Sequence, residues 1–197
     1  EPLKKLDEQG GNLLMWLRFT LLFLFICGVL YPTITTLIAA KLFPHQANGS
    51  LIERGGVVVG SSLVGQLFQG KIYFIGRPSA AGDGYDPMNL SGSNWSIANP
   101  SLRERVSETS AKIATREAVN AEVIPLDLVA ASASGIDPHI SPEAATLQVT
   151  RVAEARGLTK AQVEALVEIY TVRNPLGLGM PGVNVLELNL ALDELLP

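Results

Sequence analysis

Twenty-two consecutive residues without a charge, positions 19–40, constrain this chain more than any other feature. They read FTLLFLFICGVLYPTITTLIAA, and twelve of them are Phe, Leu, Ile or Val. At about 1.5 Å per residue they make a helix of roughly 33 Å, enough to cross a hydrocarbon core of about 30 Å with slight tilt. At about 0.3–0.6 kcal/mol each, the apolar members favour insertion by roughly 5 kcal/mol, less what Pro32, Gly28 and the threonines cost. A signal peptide would need a shorter apolar region and a small-x-small cleavage site. Here Ile38 stands where a small residue should precede Ala39-Ala40. A buried core helix would be shorter and carry a polar stripe. The expectation is a polar tail over 1–12, one transmembrane helix over 13–43 and a soluble domain over 44–197. The chain starts at Glu1 rather than Met, so it reads as trimmed or as a fragment.

Pro32 removes a backbone donor inside the span, which is tolerated where a neighbouring helix, a water or a threonine satisfies the freed carbonyl, with Thr33, Thr35 and Thr36 as the candidates. Gly28, Pro32 and three threonines on the outer half suit a helix that packs on a partner. Lys4, Lys5 and Arg18 precede the span, whereas Lys41 and the more distant Arg54 follow it. The positive-inside rule therefore puts the N-terminus in the cytoplasm and the domain outside. The sole cysteine, Cys27, lies in the span, which leaves the domain without a thiol and suited to an oxidising compartment.

Behind the span there are 12 Lys and Arg against 16 Asp and Glu, with no basic run, so nucleic acid is excluded as a partner. The length of 44–197 suits one compact domain. Asn48-Gly49 signals a turn. Valine-rich 57–66 and KIYFI at 71–75 read as strands, and 79–97 as a long loop. Asn99-Pro100, Ser141-Pro142 and Thr159 each open a helix. PLDLVAA at 125–131 reads as a short strand or extended segment, 132–139 and 174–182 as loops, and 184–195 as a closing amphipathic helix. The class is α+β: a single N-terminal transmembrane helix followed by one compact domain with a small β-sheet packed by helices.

Catalytic patterns are scarce. There is no phosphate-binding loop of the G-x-x-x-x-G-K-[ST] type, no G-x-S-x-G and no Ser-x-x-Lys. His45 and His139 lie far apart in sequence without neighbouring ligands, so no metal site is expected. Asp137-Pro138-His139 reads as an Asx-Pro turn leading into the Ser141 cap rather than an acid/base pair. Asp83 and Asp86 lack calcium-loop spacing. Asn48, Asn89 and Asn94 stand in Asn-x-Ser sequences but read as turn residues.

Specific segments carry the reading further: QANGSL (46–51), GSSLVGQLF (60–68), YFIGRPSA (73–81), GSNWSIANP (92–100), ASASGIDPHISPEAA (131–145), RVAEARGL (151–158) and VNVLELNLALD (183–193). Their order and spacing behind an N-terminal span resemble the C subunit of the Kdp high-affinity potassium-transporting P-type ATPase. The resemblance implies a bacterial inner-membrane complex with a channel-like, potassium-binding A subunit, an ATP-hydrolysing B subunit and a very small fourth chain. It implies a subunit without catalytic residues, consistent with the lack of an Asp-Lys-Thr-Gly segment here. It further implies a catalytic chaperone that raises the ATP affinity of the B subunit, with no cofactor of its own beyond ATP met through the complex. The family's nucleotide-associated glutamine, on the helix after its Pro-Glu-Ala-Ala segment, falls on Gln148.

Two expectations compete at that residue. From its pattern, a glutamine on an amphipathic helix is a solvated or capping group. ATP is cytoplasmic, whereas the charge bias puts this domain outside. The reading consistent with that topology places the domain over the mouth of the A subunit, acting on pumping by conformational coupling. The alternative function is a membrane-anchored extracytoplasmic enzyme of unknown substrate, for which the sequence lacks a complete hydrolase or metal constellation.

Overall fold

A computed structural model describes residues 2–174 and 176–195, with side chains from residue 13 onward. The chain divides into two units, with the boundary after Leu51. In the first, α1 (Pro2–Phe25) runs through a π turn (Ile26–Leu30) into α2 (Tyr31–Leu42) without a break. The stretch Leu13–Leu42 is 30 residues long and apolar enough to cross a membrane. Its large apolar side chains are exposed along its length, as contact with lipid requires.

Pro32 is accommodated differently from expectation. The helix widens just before it, so that the Tyr31 N–H reaches back to the Ile26 carbonyl. A π turn shifts the hydrogen-bond ladder where a proline would clash with the preceding turn. The Thr35 hydroxyl does bond backbone, but to Tyr31 O (2.8 Å) and Pro32 O (3.1 Å). Phe43 leaves helical geometry ahead of Pro44. The one-turn helix α3 (Pro44–Ala47) follows, and Asn48 Nδ2 closes it on Pro44 O at 2.8 Å. This turn lies within the first unit.

A hairpin follows, β1 (Leu51–Arg54) and β2 (Val57–Ser61), which from Ile52 onward belongs to the second unit. Gly55 and Gly56 connect them at φ +58° and +79°, the left-handed pair that a two-residue hairpin turn requires. Sequence reading anticipated β2 but not β1, and carried β2 too far, to Gln66. The strand stops at Ser61 because the Leu63 N–H bonds Ser61 Oγ and the Val64 N–H bonds Ser61 O, turning the chain sharply. Arg54 anchors the hairpin on the last helix through Leu190 O and Glu194 Oε1.

Four helices and a second sheet form the core. They are α4 (Pro100–Glu117), α5 (Pro142–Arg156), α6 (Lys160–Ile169) and α7 (Val185–Glu194), with β3 (His139–Ile140), β4 (Thr171–Val172) and β5 (Gly182–Asn184). The sheet is antiparallel in the order β3-β5-β4, pairing Ile140 with Val183 and Val172 with Gly182. Asn99, Ser141 and Thr159 cap their helices as the sequence indicated, accepting from Ser101 N, Ala144 N and Gln162 N. Ile140, Val149, Val152, Val163, Val183, Leu188 and Leu192 meet in one apolar cluster. The expected strand or extended segment at 125–131 contains a 3₁₀ turn, Leu126–Leu128, which tucks Leu128 into that cluster. Of the loop expected over 174–182, Pro175 lies outside the described residues, and Gly182 opens β5.

Candidate functional site

KIYFI has the composition of a strand, but Lys71 and Ile72 form a turn, Tyr73 a bend, and Phe74 and Ile75 pair with no strand among the described residues. Side chains take the place of neighbouring strands. The Phe74 N–H donates to Asn189 Oδ1 at 2.8 Å, and Asn189 Nδ2 donates to Phe74 O at 2.9 Å. The Ile75 N–H donates to Gln148 Oε1 at 2.9 Å, and Gln148 Nε2 donates to Ile75 O at 3.0 Å. Successive residues of an extended chain present their polar groups to opposite edges. Asn189 from α7 and Gln148 from α5 therefore hold the two edges. A carboxamide carries one acceptor and one donor side by side, the same pair that a peptide group offers.

Two arginines complete the clamp. Arg151 donates through Nη1 to Lys71 O (2.6 Å) and Tyr73 O (2.9 Å), and through Nη2 to Gln148 Oε1 (2.8 Å). Its Nε lies 3.0 Å from both oxygens of Glu117, whose side chain is fully buried. Burial lowers the Arg151 pKa, opposed by the hydrogen bond and charge of Glu117. Arg156 donates to Ile72 O at 2.6 Å, Leu192 O at 3.0 Å and Asp193 Oδ1 at 2.7 Å, and its guanidinium lies 5.0 Å from the Tyr73 ring centroid.

Gln148 is 0% exposed, so the solvated or capping role expected from pattern is corrected. The correction follows from the facing of α5, whose buried side holds Ala144, Ala145, Gln148, Val149, Arg151 and Val152. Its Nε2 also donates to Ala144 O at 3.2 Å, so both polar atoms make two hydrogen bonds each inside the protein. Asn189, Arg151, Arg156 and Glu117 were not singled out by role from the sequence. The available signal was polar side chains recurring at core-facing positions of helices.

A second polar cluster joins the loops. Asp137 accepts from the His139 N–H at 3.0 Å, the Asx turn that Asp137-Pro138-His139 suggested, and from Arg77 Nη1 at 2.9 Å. Burial raises the Asp137 pKa, but the hydrogen bonds from His139 and the charge and hydrogen bond of Arg77 outweigh it, and the net shift is downward. Tyr85 donates to Arg77 O at 2.7 Å. Burial, assisted by the charge of Asp137, pushes its phenol up to about 12. Ser79 ties the long loop down: its hydroxyl donates to Gly135 O and accepts from the Ala81 and Tyr85 N–H groups. Asp86 closes a local turn, accepting from Met88 N and Asn89 Nδ2. Among the described residues, no three His, Cys, Asp or Glu side chains converge to hold a metal. Beside Asp137 and His139 lies a groove of about 1140 Å³.

The comparisons cover nearly all of this architecture. The family described as KdpC, K+-transporting ATPase, c chain, matches residues 13–194. A potassium-transporting ATPase KdpC subunit from Shewanella putrefaciens is 50% identical over 182 residues, 92% of this chain and 90% of the relative. Its namesake in Herpetosiphon aurantiacus is 51% identical over 177 residues, 89% of this chain and 92% of its own. The one in Geobacter sulfurreducens is 49% identical over 195 residues, 98% of this chain and all of the relative.

Proposed function

The chain belongs to the KdpC family of K+-transporting ATPase c chains, and from that premise we propose that it acts as a single-span accessory subunit without chemistry of its own. The observation that carries this reading is the family match along 13–194, which takes in the apolar helix and the domain together. The non-catalytic part is supported by the fate of the central polar residues. Gln148, Arg151, Arg156 and Asn189 are committed to holding backbone.

In this reading the helix crosses the bacterial inner membrane with its N-terminus in the cytoplasm. The domain stands outside, against the channel-like A subunit of the complex. It stabilises the assembly, which also contains the small fourth chain, and raises the ATP affinity of the B subunit by favouring one conformation of the complex. ATP contact through Gln148 is a separate proposal. It requires Gln148 to release Ile75, since its own hydrogen-bonding atoms are occupied. That release would break two buried hydrogen bonds and leave their backbone partners unsatisfied.

The test compares the detergent-purified complex with and without this chain, measuring potassium-stimulated ATP hydrolysis against ATP concentration. Omission should raise the apparent KM for ATP or abolish stimulated turnover, and the chain alone should release no phosphate. ATP hydrolysis by the isolated chain, lost on substitution of one of its residues, would overturn the accessory reading.

A further inference from the structure

The two faces of the three-stranded sheet are covered unequally. Ile140 and Val183 point into the helical core, whereas His139, Val172, Gly182 and Asn184 alternate onto the other face, where Asn184 is buried with its Nδ2 on Ser62 O but Val172 is left exposed. That second face floors the groove, whose rims carry Leu126 and Met180. These two are 76% and 90% exposed, and Val172 is 57% exposed. Exposed apolar side chains gathered around a groove, Val172 from the sheet, Leu126 from the 3₁₀ turn and Met180 from the loop before β5, form a surface suited to a partner.

Charge narrows what that partner presents. Arg77 pairs with Asp137, and Arg173 is held by both oxygens of Glu168. The groove's other two carboxylates, Asp127 and Glu143, have no ion-pair partner among the described residues. The N-terminus of α5 accounts for an acid in its first turn, but not for the apolar floor beside it. The edge of β3 also restricts how the groove is filled. The His139 N–H is bonded to Asp137 Oδ1 at 3.0 Å and the Ser141 N–H to Asp127 Oδ2 at 2.7 Å. Both donors are thus unavailable to an added strand.

We propose that this groove docks an extended segment of another subunit of the pump, engaged through side chains, with a lysine or arginine directed at Asp127 and Glu143 and flanking apolar residues on Leu126, Val172 and Met180. The inference rests on the reading of this chain as an accessory subunit. The test places a photoreactive benzoylphenylalanine at Val172 of the full chain, assembled with its complex in membranes, and identifies crosslinked peptides by mass spectrometry. The expected crosslink is to a pump-subunit segment that carries a basic residue among apolar ones. In that background Glu143→Lys, at an exposed position, should cut the crosslink yield about tenfold, and exchanging the partner's basic residue for glutamate should restore it. Crosslinks only to lipid, to a second copy of this chain or to a segment without a basic residue would overturn the proposal, as would no crosslink from a complex that still co-purifies. Failure of the unsubstituted chain to co-purify with any transport subunit would instead remove the accessory reading itself, and the docking proposal with it.

Discussion

The side-chain amide of Gln148 pairs with the backbone of Ile75 as a neighbouring strand would, donating to its carbonyl at 3.0 Å and accepting from its N–H at 2.9 Å. A segment of high β propensity is thereby fastened to the helices, with Phe74 in the core, without joining a sheet. Its stability depends on single side chains rather than on a second run of backbone.

Gln148→Ala should therefore destabilise the domain by about 2–4 kcal/mol, because it leaves the Ile75 N–H and C=O buried without partners. Urea unfolding of the full chain in detergent, followed by fluorescence, measures this as a lower midpoint. If pump activity fell while the midpoint stayed in place, Gln148 would have a task other than holding 71–77, and the nucleotide proposal would gain.

Removing Glu117 and removing Arg151 should not be additive, because each leaves the other's charge buried without its partner. Glu117→Gln leaves a nearly buried guanidinium without its counter-charge, at about 3–5 kcal/mol. Replacing the pair with Leu and Met removes both charges but also releases Lys71 O and Tyr73 O from Arg151, and should cost less than the sum of the two single changes. A double-mutant cycle on unfolding free energies decides it, and strictly additive losses would show that the pair is not coupled.

Tyr85 should make the domain sensitive to alkali. Its phenol titrates near 10 in the unfolded chain and at about 12 in the fold, because burial disfavours the phenolate. The raised value means that its stabilising contribution is complete below pH 10 and is lost as pH rises towards 12. Tyr85→Phe should flatten the fall in stability across that window. It should also remove the most delayed step from a spectrophotometric tyrosine titration.

Orientation can be read from one residue. Ser101 is exposed at the start of α4. In a Cys27→Ser background, Ser101→Cys should react with a membrane-impermeant thiol reagent in intact cells, since the basic residues favour a cytoplasmic N-terminus. Labelling only after permeabilisation would put the domain in the cytoplasm and revive direct ATP contact.

The membrane helix, the helix caps at Asn99, Ser141 and Thr159, and the family were all legible in the chain itself. Each is written locally: an apolar run sets its own solvent, a cap needs only its next three residues, and family motifs are linear. The strand at 71–75 was misread for the complementary reason. KIYFI has strand chemistry, but whether a strand forms depends on what lies beside it. Here Gln148 and Asn189, 73 and 115 positions downstream of the backbone groups they hold, occupy both edges. The same distance hid the burial of Arg151 against Glu117, 34 residues earlier. It also hid the groove beside Val172, which exists only once β3, β4 and β5 are brought together. Polar side chains on a helix look solvated until tertiary packing turns that face inward, and packing alone decided which backbone atoms they would satisfy.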